Sequence, residues 1–156
     1  MQYIHLMIGN IGTGKTTTAT KILEENPNTL YVSDDDICTL VNMGNYGPEL
    51  WSNKYWPVYS AIKRSIAEIA IENGFSIIID STNMSESKRA VWVKKAKQLN
   101  VSIIAHVHLD HALGIKRRQE TPRGQTFEMW QKVYERFQSE YEEVTSAEGF
   151  NEIKVI

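Results

Sequence analysis

The sequence predicts an α/β protein with a mostly parallel sheet and helices on both faces. Three observations carry this. Short apolar runs alternate with longer amphipathic segments along the whole chain, the pattern of strand–helix–strand crossovers. The first apolar run passes straight into a glycine-rich turn and then a helix-forming stretch, GNIGTGKTTTATKILEE. The length, 156 residues of which 42% are hydrophobic and 23% charged, suits a single domain over 1–156 with one sizeable core.

The elements follow in order. Tyr3–Ile8 reads as a buried strand, and MQYIHLMIG has neither the basic leader nor the cleavage site of a targeting segment. A helix is expected from about Lys15 to Glu25, stopped by Asn26-Pro27. Thr29–Val32 is a short second strand that runs into Asp34, Asp35 and Asp36. Residues 44–53, GNYGPELWSN, are rich in turn formers and read as loop. Pro57 suits the first turn of a helix reaching Asn73, with Gly74 as its stop. Val58, Ile62, Ile66, Ile69 and Ala70 recur at helical spacing there and are expected to face the core. Ser76–Ile79 is a third strand, closed by Asp80. Ser85 or Ser87 can cap the next helix, which runs to about Leu99. Val101–Leu109 is a fourth strand. Residues 111–120 form a basic helix broken by Thr121-Pro122-Arg123-Gly124. A long helix from about Thr126 to Val144 and a last strand at Glu152–Ile156 complete the chain. No repeat, low-complexity tract or linker interrupts this order, so function is expected at the carboxyl ends of the strands.

Composition narrows the function classes. A net charge of −2 argues against a general polyanion-binding tail, so a nucleic-acid partner must meet a local basic patch. One cysteine, Cys38, excludes an internal disulfide framework and a four-cysteine zinc site. The apolar runs are far shorter than the roughly 20 residues of a membrane-spanning helix. A cytoplasmic, reducing-compartment protein without a membrane partner is expected.

Residues 9–16, GNIGTGKT, fit G-x-x-x-x-G-K-[ST] through Gly9, Gly14, Lys15 and Thr16. Glycines let the backbone curl so that successive N–H groups point at phosphate oxygens, and the helix start adds its positive dipole end. Gly12, Thr13 and Thr17 belong to the same cradle. Lys15 can reach the β- and γ-phosphates, and the Thr16 hydroxyl can face Mg²⁺. A dinucleotide fingerprint fails, because G-x-G-x-x-G spacing is absent.

Three adjacent carboxylates at 34–36 repel one another unless each has a cation or a hydrogen-bonding role. They read either as first-turn helix acids or, for one of them, as the group that orients and deprotonates an acceptor hydroxyl. Asp80 ends an hhhD run, IIID, and reads as a Walker-B-like acid near the Mg²⁺ shell, acting through water, or as a cap on Ser81-Thr82-Asn83.

Between Met84 and Arg123 nine Lys/Arg stand against three Asp/Glu, a local charge of +6. Lys94, Lys95 and Lys97 read as a solvated helix face. Lys116, Arg117, Arg118 and Arg123 flank the Pro-Gly break, which suits a flap over donor phosphates, a lid at about 111–126. Tyr46, Trp51, Tyr55, Trp56 and Tyr59, interleaved with Lys54 and Lys63, read either as packing or as a surface that stacks a base and holds a backbone phosphate. His5, His106, His108 and His111 show no metal-ligand partner set, and the strand histidines read as structural.

GNIGTGKT, NPNTLYVSDDD, IIIDSTNMSESKRAVW, HVHLDHALGIKRR and PRG, in this order from about residue 3 to 140, resemble the 5′-kinase domain of bacteriophage polynucleotide kinase, within the P-loop kinase superfamily. The phosphate loop specifies only NTP binding. The D-S-T-N segment followed by Lys88 and Arg89 is more specific. The resemblance implies a three-layer P-loop kinase fold with a five-stranded, mostly parallel sheet, a substrate tunnel and an arginine-bearing lid. It implies that Lys15 and Thr16 hold the donor phosphates and Mg²⁺. Asp35, twenty residues after Lys15, falls where that group has its general base, and Asp80 or Thr82 would line the floor. Arg89 would approach the acceptor, and Arg117 and Arg123 match the lid arginines at a longer spacing. Three residues after Asp35 the family has an arginine near the acceptor, where this chain has Cys38. The appended 3′-phosphatase domain is not expected.

The function expected is transfer of the γ-phosphate of ATP, with Mg²⁺, to a hydroxyl, foremost the 5′-OH of DNA or RNA in nucleic acid repair. Asp35, Lys15 and Arg123 are the expected catalytic residues. The alternatives are a kinase acting on a small molecule, nucleoside or modified-base hydroxyl, and a non-kinase NTPase switch.

Overall fold

Five strands, β1 (Tyr3–Ile8), β2 (Thr29–Ser33), β3 (Ser76–Asp80), β4 (Ser102–Val107) and β5 (Glu152–Val155), form one sheet in the order β2-β3-β1-β4-β5. The computed structural model describes every residue from Met1 to Ile156. All four strand pairs are parallel, so the sheet is wholly rather than mostly parallel. Six helices connect them: α1 (Lys15–Glu25), α2 (Asp34–Val41), α3 (Trp56–Glu72), α4 (Glu86–Leu99), α5 (His111–Glu120) and α6 (Phe127–Ser139).

The middle strands are near-continuous apolar runs because parallel sheets are covered on both faces. Ile4, Leu6 and Ile8 of β1 point with Ile77 and Ile79 into the larger core, against Ile37 and Cys38 of α2, Tyr59 of α3 and Trp92 of α4. Met7 and Ile78 point the other way, onto Ala19 and Ile22 of α1. No helix is long and apolar enough to cross a membrane.

The structure differs from the sequence reading at several elements. The acidic run is the first turn of a helix, α2, one of the two readings its residues allow, although no helix is expected over 34–41 among the elements. The Ser33 hydroxyl accepts from the Asp36 amide at 3.0 Å, and Asp34, Asp35 and Asp36 sit at the positive end of the helix dipole. The buried face of α3 is Tyr59, Lys63, Ala67, Ala70 and Ile71, whereas Val58 and Ile69 are exposed. A lysine on the buried face masked the true stripe. Helix α6 ends at Ser139, short of Val144, because the following backbone is tied elsewhere: the Glu142 amide donates to the Met84 carbonyl at 2.9 Å.

Arg89, expected near the acceptor, and Cys38, which stands where the resembling family has an arginine, are both buried in the core. Arg89 is fully buried in α4. Its Nε and Nη2 donate to the Glu148 carboxylate at 2.6 and 2.8 Å, and Nη1 donates to the Met84 carbonyl at 2.8 Å. It therefore ties α4 to the short 3-10 turn at Ser146–Glu148 and does not approach an acceptor. Cys38 is likewise fully buried, 3.6 Å from the Tyr59 hydroxyl, so the position that carries an arginine in the resembling family faces the core here. Lys88 is occupied by Glu140 on the surface.

Breaking the Arg89 pair leaves an uncompensated buried charge. Glu148→Gln is expected to cost about 3–5 kcal/mol in urea denaturation, and the double change Arg89→Met/Glu148→Leu to recover most of it. The His5 and His106 rings meet across β1 and β4, Nδ1 to Nε2 at 3.1 Å, and burial pushes both imidazoles down from 6.5 to about 4. The unfolded chain then binds protons first as pH falls. Their contribution is full above pH 6.5 and is lost as the pH drops to about 4, a slope in denaturation midpoint that His5→Gln should flatten.

Candidate active site

The loop between β1 and α1 is held from several sides. The Gly9 amide donates to the Thr82 carbonyl at 2.9 Å, and a Cβ at Gly9 would sit 2.8 Å from the His108 carbonyl oxygen. Gly9 thus serves close packing and is not on the cleft wall, unlike residues 12–17. Gly12 has φ +69°, and a Cβ there would lie 2.1 Å from the Gly114 carbonyl oxygen of α5. Buried Asn10 bonds across to α6, donating to the Tyr134 carbonyl at 3.1 Å and to Gln138 Oε1 at 3.2 Å. The His108 ring underlies the loop, with Nδ1 3.1 Å from the Thr13 carbonyl oxygen.

Helix α1 begins at Lys15 behind Gly14, which has φ +93° and no side chain to cap it. The first-turn amides therefore lack intrahelical acceptors, and the dipole end faces the cleft, a ready anion site. Lys15 Nζ donates to the Asn10 carbonyl at 2.7 Å. Burial pushes this ammonium down to about 8, with Asp80 opposing the shift and Arg118 adding to it. The Thr13 hydroxyl turns inward, donating to the Asn10 carbonyl at 2.8 Å, so Thr13 offers the cleft only its backbone. Thr17 is exposed on the wall.

Asp80, at the end of β3, accepts from the Thr16 hydroxyl at 2.9 Å and the Tyr31 hydroxyl at 2.8 Å on one oxygen, Oδ2. Burial, then the Asp80 charge, pushes the Tyr31 phenol up. Hydroxyl and carboxylate are hard oxygen donors, and no cluster of three or more His, Cys, Asp or Glu is gathered for a metal. This donor set fits Mg²⁺ held by one or two protein oxygens with the remaining ligands from water and phosphate.

The three consecutive carboxylates are sorted by their partners. Asp34 takes Lys63 Nζ at 2.5 Å, and Lys63 also donates to the Ser81 hydroxyl at 2.6 Å. Asp36 accepts from the Ser33 hydroxyl at 2.7 Å, within the cap. Asp34 and Asp35 both line the cleft, and Asp35 is the one met from across it, with Arg123 Nη1 at 3.1 Å and the Tyr46 hydroxyl at 3.5 Å. Burial raises its carboxyl above the ordinary 3.8, Arg123 pulls it back, and neighbouring Asp34 pushes it further up.

Phosphate loop, lid and acid share one cleft of about 500 Å³. Lys15, Thr16, Asp35, Asp80, Thr82, Arg117 and Arg123 all line it, whereas Arg89 and Gly9 do not. Arg118, expected with the flap, lines it too, as do Tyr31, Ser81 and Arg136, which were not expected there. The Arg118 guanidinium lies 5.0 Å over the Trp130 ring, and its Nε is buried without a partner. A lysine within the apolar stripe of α3 was the available signal for the Asp34 pairing, since a buried cation needs a carboxylate. Nothing in the residue pattern singled out Tyr31.

Lys63→Met is expected to leave Asp34 unpaired beside Asp35 and so raise the Asp35 pKa, read by carboxyl-carbon NMR titration. Adding Asp34→Asn should bring it back down.

Residues 4–144 match the family described as an AAA domain. Among solved structures, the chain is similar to one in a Pnkp1/Rnl/Hen1 RNA repair complex, at 20% identity and a TM-score of 0.70, over 88% of this chain and 44% of that one. It is similar to a fungal RNA kinase at 15% identity and TM-score 0.71, over 99% of this chain and 38% of that one. It is also similar to a sugar kinase from Janibacter sp., at 17% identity and TM-score 0.61, over 100% of this chain and 84% of that one. The chain thus spans less than half the length of the two RNA-directed proteins. No curated protein sequence matches it significantly.

Proposed function

This chain belongs to the AAA domain family and has the P-loop kinase fold, and from that premise we propose that it is an ATP-dependent kinase acting on the 5′-hydroxyl of DNA or RNA. The observation that supports this most is that Asp35 and the residue 12–17 cradle line the same cleft, with lid arginines between them. Two similar structures named for RNA repair and RNA kinase agree with that acceptor.

In this reading the Asp35 carboxylate accepts the proton of the acceptor hydroxyl. The freed oxygen bonds to the γ-phosphorus, and the bond from that phosphorus to the β–γ bridging oxygen breaks, releasing ADP. Lys15, Arg117, Arg118 and Arg123 offset the charge on the transferring group, and the loop amides hold the donor phosphates in line. Thr16 and Asp80, the latter through water, would hold Mg²⁺, which neutralises phosphate charge when bound. Half-buried Lys15 fits this task, because a lysine short of compensating anions in the protein gains most from phosphate oxygens.

A second reading keeps the chemistry and changes the acceptor to a small molecule, nucleoside or modified-base hydroxyl. The burial of Cys38, which leaves no cation at that position, favours it, as does the sugar kinase likeness.

The test is transfer of label from γ-labelled ATP to 5′-OH oligonucleotides and to a panel of small hydroxylated acceptors. Labelled oligonucleotide is expected, and release of phosphate with no labelled acceptor would overturn kinase activity. Asp35→Asn should lower transfer by about 10²-fold or more with ATP affinity little changed. Lys15→Ala should weaken both ATP binding and transfer.

A further inference from the structure

The charge of the cleft is divided by side. Its cations, Lys15, Arg117, Arg118, Arg123 and Arg136, all come from the phosphate loop, the lid or α6. The facing wall, from the end of β2 to the start of α3, contributes the carboxylates Asp34 and Asp35 and the rings of Tyr46, Trp51 and Trp56, and no lysine or arginine. Lys63 is buried and held between Asp34 and Ser81. Lys54 is exposed over the Tyr55 ring at 5.6 Å, outside the lining. Arg123 reaches across from the lid, paired with Asp35.

The aromatic wall is rigidly backed. Tyr46 and Trp51 meet edge to face with centroids 5.6 Å apart, Trp51 and Trp56 are tilted at 5.5 Å, and Trp51 rests edge-on against fully buried Tyr59 at 5.6 Å. The Tyr46 hydroxyl lies 3.5 Å from Asp35 Oδ1, so the π surface begins beside the carboxylate that faces the reacting hydroxyl. Such a wall offers a planar ring a place to stack. It offers a phosphodiester no free cation, since the wall itself lines the cleft with no lysine or arginine, Lys63 is taken by Asp34, and Arg123 is taken by Asp35.

Resting on the kinase reading above, the geometry points to an acceptor recognised through the nucleobase of its 5′-terminal residue, stacked on Tyr46 with Trp51 edge-on behind it, with the 3′-phosphate and the chain beyond it making no ion pair. Acceptor binding is then a nucleoside-level event that salt barely weakens. This differs from a phosphate-tracking groove, whose affinity falls steeply with salt.

The unaltered protein tests this with four acceptors: a free nucleoside, its 3′-monophosphate, a 5′-OH oligonucleotide and the same oligonucleotide with an abasic 5′ residue. The nucleoside and its 3′-monophosphate are expected to have kcat/KM within about threefold of each other, and the abasic end to fall roughly ten-fold or more, the scale of one lost base stack. Tyr46→Leu should raise acceptor KM roughly ten-fold with kcat little changed, while Tyr46→Phe, which keeps the ring, should not. Strict dependence on the 3′-phosphate, a steep rise of acceptor KM with salt, or an abasic end as good as a natural one would overturn the stacking assignment alone. Transfer to none of the four acceptors would overturn the nucleic-acid reading on which it rests.

Discussion

Strand β1 lies between β3 and β4 with Ile4, Leu6, Met7 and Ile8 fully buried, and that confinement fixes everything downstream of it. A backbone leaving such a strand cannot drift sideways. At Gly9 it is pinned to Thr82 on one flank and pressed against His108 on the other. Asn10 then fastens the loop to α6. The positions of Lys15 and Thr16 relative to Asp80 follow from this, since β1 and β3 are registered neighbours and their ends leave the sheet together. Geometry of this precision comes from covered parallel strands rather than from the loop's own preferences.

The acidic triplet shows how one carboxylate is set apart within a sequence that repeats it three times. Asp34 is held by a buried lysine, Asp36 is folded into the helix cap, and Asp35 lines the cleft paired only with the arginine that reaches across it. Each partner lies on a different element, so β2, α3 and the segment carrying Arg123 all act on one helical turn. The cost is a buried ammonium in α3, compensated by Asp34, Ser81 and the face of the Trp92 ring.

Much of this was legible in the residues. The strands, the phosphate loop and the positions of α1, α4 and α5 follow from apolar runs, glycines and caps, because those signals are local. The failures have a common physical origin, in partners distant in sequence. Arg89 looked like a cleft cation until Glu148, fifty-nine residues away, was seen to bury it. Val58 and Ile69 satisfied helical spacing, yet the buried stripe includes Lys63, which is tolerable there only beside Asp34. The end of α6 is set by a tie to Met84, which no local pattern encodes. Within the candidate site, Lys15, Thr16 and Asp80 were readable from motif and context. Tyr31 enters only through strand register.

The contact between Gly12 and Gly114 carries a lesson about inheritance. A single methyl at the first would collide with the carbonyl of the second at 2.1 Å, and one at the second would meet the Ile11 carbonyl at 2.4 Å. Two stretches about a hundred residues apart are thus fitted backbone to backbone, like a key cut for one lock. Neither can drift in sequence alone, and a chimera that exchanged the lid helix without the loop it rests on would bring together surfaces never shaped for each other.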